Sequence, residues 1–202
     1  MIDMIEAGKI GTREQILEAA LRLFAQQGYD STSLRQIAED QGLTKAALYY
    51  HFPAKEQLLL ELTRPFIDGL SELLTENRAL DKPDPESLLS SYLDLFYTHL
   101  EVLGVLASDP ATLNHPDIGQ RARALVIGIR HLLAGSEASA ERNVRAACAL
   151  GVINAIPQLP ADALQASRET VLLAALGALG EQPSAERTRR HAPRPPRMAA
   201  GP

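Results

Sequence analysis

Apolar side chains recur three and four positions apart along most of the chain, and no segment sustains a period-two alternation. That pattern predicts an all-α fold. Ile16, Ala20, Leu23 and Phe24 share one face of a helix over 13–27, with Thr12 and Gln15 spaced as a capping box and Gly28 as its stop. Ser33 and Gln36 repeat the capping signature ahead of a short helix that turns Leu34, Ile37 and Ala38 inward and ends near Gln41. Gly42 suits the left-handed position after a helix end, and Thr44 can cap a third helix over 45–51. Pro53 stands where a first-turn proline begins a fourth, which Leu58, Leu62, Phe66, Leu70 and Leu73 carry from Ala54 to about Leu80. After DKPDP at 81–85, helices are predicted over 86–106, 118–134, 141–156 and 161–179. From Pro183 the composition shifts to a Pro- and Arg-rich tail with little to bury, expected to be disordered.

Three short helices with a tight turn at 40–44 are the layout of a helix-turn-helix supported by one further helix. Ala38, four residues before Gly42, allows a close crossing, and Leu43 and Leu48 supply the contacts that lock the pair. Composition fits a globular chain: 202 residues, 46% hydrophobic and 22% charged. LLSSYLDLFYTHLEVLGVLA comes nearest to a membrane span, but Asp94, His99 and Glu101 interrupt it. One cysteine and an acidic N-terminus without a signal-peptide pattern give the expectation of a reduced, cytoplasmic (nucleoid-associated) protein with no membrane contact.

The segment TREQILEAALRLFAQQGYDSTSLRQIAEDQGLTKAALYYHFPAKEQLL resembles the N-terminal DNA-binding domain of the TetR family of one-component bacterial transcription regulators. Phe24, Gly28, Tyr29, Ile37-Ala38, Gly42, the block Leu48-Tyr49-Tyr50-His51-Phe52 and Lys55 carry the likeness over about residues 12–60. The resemblance implies a DNA-binding domain at 1–53, an effector-binding and dimerisation domain at 54–182 and the tail at 183–202. It makes Thr44 to His51 the recognition helix. There Thr44 is placed for a phosphate, Lys45 for a guanine edge, and Ala46 for close approach. Tyr49 and Tyr50 divide contact and packing, while His51, Lys55, Ser33 and Arg35 are candidates for the DNA backbone. One departure is Pro53-Ala54-Lys55, where many relatives place Ser, Thr or Asn beside the lysine, so a side-chain cap is missing.

Of the five Tyr and four Phe, the four outside this segment are Phe66, Tyr92, Phe96 and Tyr97. Tyr92, Phe96, His99 and Leu103 share a helix face that either walls a small-molecule pocket or packs a core, with Phe66, Arg123, Ile127 and His131 as further effector-contact candidates. No metal and no cofactor are expected, since His99, His115 and His131 lack ligand spacing. Cys148, in an Ala-rich helix, is expected to be an inert buried thiol. The resemblance further implies a homodimer through 141–156 and 161–179, using Ala146, Ala147, Leu150, Gly151, Ile153, Val171, Leu172, Ala175 and Leu176.

The implied function is a repressor that binds a palindromic double-stranded operator as a homodimer and is released by a small-molecule effector. The alternative is a ligand-independent regulator or an activator of the same fold. An enzyme built on Asp94, His99 or Glu101 lacks a nucleophile elbow, a phosphate loop and a convergent acid–base pair. The net charge of −5 does not oppose DNA binding. Residues 57–182 carry 9 basic and 16 acidic side chains, residues 1–56 carry 6 and 8, and the tail carries 5 and 1. Contact then depends on a few placed donors, with the tail as an auxiliary contact.

Overall fold

A computed structural model describes residues 11–108, 115–159 and 168–182. Within them lie nine α-helices and no strand: α1 Thr12–Gln27, α2 Leu34–Asp40, α3 Lys45–His51, α4 Lys55–Arg78, α5 Pro85–Thr98, α6 Leu100–Ser108, α7 Arg121–Ala134, α8 Ala140–Asn154 and α9 Arg168–Leu179. A π-helical turn at Pro116–Gln120 leads into α7, and a 3-10 turn at Ile156–Gln158 follows α8. The expected tail and the first residues of the expected 161–179 helix lie outside the described residues.

Helix α1 packs on α2, α4 and α6, and α2 packs on α3. Beyond them α4 lies against α5 and α7, α7 against α8, and α9 against α8 and α5. One apolar core runs through both groups, from Ile16, Phe24, Ile37 and Leu48 to Tyr92, Leu93, Ile129, Ile153 and Leu176. Gly128 lets α7 approach α4, because a Cβ there would stand 2.7 Å from Leu74 Cδ2. Arg168 clamps α9 to α5: its Nε and Nη2 donate to Asp94 at 2.6 and 2.8 Å, and Nη2 also donates to Ser90 Oγ at 2.7 Å.

Four expectations change. Gly11, not Thr12, caps α1, and Thr12 is already helical, so no side chain caps this helix. The helix expected over 86–106 is two helices. His99, at φ −113° and ψ 23°, closes α5, and its carbonyl accepts the Leu103 amide to open α6. Helix α4 starts at Lys55 rather than at Ala54, so Pro53 lies before it and not in its first turn, and Ala54 gives no side-chain cap. It also runs through Pro65, whose missing amide leaves the Glu61 carbonyl without its helical donor. Two residues earlier, the buried Thr63 hydroxyl donates to Leu59 O at 2.9 Å. Cys148, expected to be buried, is exposed, because the core of α8 is filled by Ala146, Ala149, Leu150 and Ile153 instead.

Candidate nucleic-acid interface

Local chemistry sets the turn between α2 and α3. Ser33 Oγ accepts the Gln36 amide at 3.2 Å and Gln36 Oε1 accepts the Ser33 amide at 2.8 Å, a complete capping box at the start of α2. At the other end Gly42 takes φ +62°, its amide donates to Glu39 O at 3.2 Å, and the Leu43 amide donates to Ala38 O at 2.9 Å. This is a Schellman closure, which a side chain at residue 42 would strain. Thr44 then caps α3, its Oγ1 accepting the Ala47 amide at 3.2 Å. Leu48 and Phe52 are buried against the bundle, so the rotation of α3 about its own axis is fixed.

That rotation turns Lys45, Ala46, Tyr49 and Tyr50 to solvent. Tyr50 is 85% exposed and Tyr49 40%, whereas the other aromatics of this bundle, Phe24, Tyr29 and Phe52, are buried. A tyrosine left in water on a seven-residue helix adds nothing to this chain's core, and it is suited to contact with a partner surface. Lys45 Nζ stands 5.4 Å from the Tyr49 ring centroid. His51 is half-buried, with its ring edge-on to Tyr50 at 5.4 Å. Thr44 keeps its hydroxyl proton available, since the cap uses the oxygen as acceptor.

Three of the expected backbone contacts are otherwise engaged. The Ser33 hydroxyl donates to Gln36 Oε1 at 2.8 Å. Arg35 is exposed but pairs with Glu39 at 2.7 Å, a hydrogen bond that also raises its pKa. Lys55 is half-buried; its Nζ donates to the carbonyls of Tyr29 at 2.7 Å and Asp30 at 3.3 Å, and sits 4.2 Å from the Tyr29 ring centroid. It ties the start of α4 to the loop before α2. Arg13 makes a second tie that sequence reasoning missed, lying 4.8 Å from the Phe52 ring centroid and pairing with Glu61 at 3.0 Å. A third is Arg22, paired with Asp40 at 2.5 Å; hydrogen bonds from Gln41 and Arg22 hold the Asp40 carboxyl below its usual range. The last two ties join residues 48 and 18 positions apart, which no local pattern announces.

The effector candidates do not form one site. Phe66, Tyr92 and Phe96 are buried and pack on one another, Phe66 edge-on to Phe96 at 5.4 Å and Tyr92 tilted on Phe96 at 5.0 Å. Tyr92 Oη donates to Asn154 Oδ1 at 2.6 Å, and burial pushes the phenol pKa up. His99 is half-buried beside Phe66, and that burial lowers its pKa. Leu103 is buried, whereas Arg123, Ile127 and His131 lie on the exposed side of α7.

The residues expected at a dimer interface divide in the same way. Ala146, Leu150, Ile153, Leu172, Ala175 and Leu176 are buried within this chain. Ala147 and Gly151 are exposed, alongside Val144 and Cys148 on α8 and Ala174 and Gly177 on α9. Among the described residues no group of three or more His, Cys, Asp or Glu is placed to hold a metal ion. Nor is any helix among them long and apolar enough to cross a membrane.

A three-helix bundle with a locked helix-turn-helix and a solvent-facing second helix is the layout of a DNA-binding module. The family model for bacterial regulatory proteins of the tetR family matches residues 16–62, the segment that holds most of α1, all of α2 and α3 and the start of α4. Its relatives are transcription regulators, not enzymes. It is 44% identical over 82 residues to the HTH-type transcriptional regulator AcrR of Shigella flexneri, covering 41% of this chain and 38% of that one. It is 32% identical over 102 residues to the HTH-type transcriptional repressor AcnR of Corynebacterium diphtheriae, covering 50% and 54%. The chain thus spans about half or less of the length of these curated relatives. AibR, crystallised in complex with isovaleryl coenzyme A and operator DNA, shares the fold at a TM-score of 0.61 and 24% identity over 83% of this chain and 96% of that one.

Proposed function

We propose that this chain is a cytoplasmic repressor that binds a palindromic operator as a homodimer and is released by a small-molecule effector. Residues 1–53 form its DNA-binding domain and residues 54–182 its effector and dimerisation domain. The observation that carries the reading is the solvent-facing set Lys45, Ala46, Tyr49 and Tyr50 on a helix whose rotation is fixed by Leu48 and Phe52. Lys45 and the Thr44 hydroxyl supply donors for a base edge and a phosphate, and Ala46 leaves room for the groove wall. The crystallised complex of AibR with operator DNA supports a DNA partner for this fold, and the repressor name of AcnR supports the sign of regulation.

Two recognition helices read a palindrome when a two-fold axis relates them. The exposed stripe Val144, Ala147, Cys148 and Gly151 on α8, with Ala174 and Gly177 on α9, is the surface assigned to that axis. Its small side chains allow close helix approach, and Val144, 61% exposed, gains burial there. The effector acts by population shift, binding better to a conformation in which the recognition helices lose register with successive grooves.

Fluorescence anisotropy against DNA from the gene's own promoter region tests the reading. Wild type is expected to bind specifically. Lys45→Ala is expected to cost about 1–3 kcal/mol of specific binding with an unchanged melting temperature. Equal binding of promoter and scrambled DNA would overturn it.

A further inference from the structure

Helices α1 and α6 do not close on each other along their whole length. A cleft of about 690 Å³ remains between them, lined by Glu18, Leu21, Arg22, Ala25 and Gln26 of α1 and by Glu101, Gly104, Val105 and Ser108 of α6. It is separate from the buried cluster of Phe66, Tyr92 and Phe96, none of which lines it. Its size lies within the range of small-molecule sites, about 300–1,000 Å³.

The lining selects a chemical class. The floor is aliphatic or bare, made by Leu21, Ala25, Gly104 and Val105, and among the described residues no aromatic ring lines the cleft. Among the described residues the one cation on the rim, Arg22, is committed to Asp40 at 2.5 Å. Glu18 and Glu101 are exposed and form no ion pair among the described residues. Uncompensated carboxylates above a methylene-compatible floor favour an organic cation with an aliphatic body, and the missing rings remove the stacking that favours an aromatic one. The cleft wall also leads to the DNA-binding face. Asp40, the partner of Arg22, is the last residue of α2, and Gln41 Nε2 donates to its Oδ2 at 2.7 Å.

We propose that the α1–α6 cleft is a binding site for an aliphatic diamine, held by Glu18 and Glu101 over Leu21, Ala25 and Val105, and that its occupancy lowers operator affinity through Arg22 and Asp40. The coupling rests on the DNA-binding reading above; the binding does not. A guest that spreads α1 from α6 moves Arg22, and with it the end of α2 that sets the turn into the recognition helix.

Isothermal titration of the DNA-free protein with 1,8-diaminooctane is the first test, with 1,8-octanediol as the neutral match. One diamine is expected per chain, and no heat from the diol. Glu101→Gln is expected to weaken the diamine about threefold to fivefold, and the Glu18→Gln, Glu101→Gln double variant about tenfold or more, in keeping with ion pairs near a surface. Gly104→Leu fills the cleft. A Cβ at residue 104 meets nothing within 4 Å, and leucine favours a helix over glycine, so this variant is expected to keep its melting temperature and lose the titration. No heat from the diamine, or equal affinity in all four proteins, overturns the site.

Promoter anisotropy in saturating diamine is the second test, with Gly104→Leu controlling for diamine bound to the DNA itself. Wild type is expected to lose at least about threefold more affinity than that variant, and equal losses overturn the coupling. A protein that never binds its promoter but still titrates with the diamine would sink the DNA-binding reading and leave the site standing.

Discussion

Lys55→Met removes an ammonium while keeping most of the stem. The lost interactions are the bonds to Tyr29 O and Asp30 O, at 2.7 and 3.3 Å, and the approach to the Tyr29 ring at 4.2 Å. Hydrogen bonds from a charged group contribute about 1.5–3 kcal/mol when well buried, and a cation over a ring adds about 0.5–1 kcal/mol at a partly exposed site. Lys55 is half-buried and methionine regains some desolvation, so the expected net loss is about 1–2.5 kcal/mol, near the lower end of those ranges. For a chain of this size that lowers the melting temperature by about 3–8 °C. Urea and thermal unfolding followed by far-UV circular dichroism measure it. Operator binding over a range of salt supplies the discriminating number. A phosphate contact at Lys55 would reduce the slope of log affinity against log salt by about 0.9, whereas an anchor of the bundle leaves it unchanged. A variant of wild-type stability whose salt slope has dropped by about one would refute the assignment of Lys55 as an internal anchor.

Tyr92→Phe deletes the hydroxyl bonded to Asn154 Oδ1 at 2.6 Å; Asn154 is exposed and finds water, so urea unfolding is expected to show a loss of only about 0.5–1.5 kcal/mol. His99 carries a pH dependence: burial lowers its folded pKa below the unfolded value, so its contribution is present above the unfolded value and is lost as pH falls through the folded one. The urea midpoint of wild type is therefore expected to drop more than that of His99→Gln between about pH 7.5 and about pH 5, and parallel curves would remove His99 from the account.

What the sequence made legible was local. The boundaries of α2 and α3 are written in Ser33, Gln36, Gly42 and Thr44, whose bonds span five residues or fewer, so pattern and capping chemistry suffice. The exposed face of α3 follows from Leu48 and Phe52 pointing the other way. Long-range packing was not legible. His99 reads as one more residue on a helical face until α6 has to turn toward the 3-10 turn and α1. Cys148 sits in an Ala-rich stretch where every residue is small or apolar enough to bury, and which of them are buried depends on where α9 and α7 lie. Lys55 in a basic and aromatic motif suggests a phosphate, but its partners are carbonyls 25 and 26 residues earlier. The aromatic face of α5 was legible as a face, but the contacts of its rings with one another and with Phe66 of α4 were not.

Pro65 gives α4 a mechanical character that its length alone conceals. Residues before it are bound to the N-terminal bundle through Lys55 and the Arg13–Glu61 pair. Those after it are bound to α7 through Asp68–Arg121 and the Leu74–Gly128 approach. With the rung at Glu61 missing, the helix resists bending least between these two sets of anchors. Helix α4 is thus two stiff rods in series with a compliant joint at Pro65. Bending at that joint leaves the contact of α1 on α6 as a second link between the two sets of helices that does not run through Pro65.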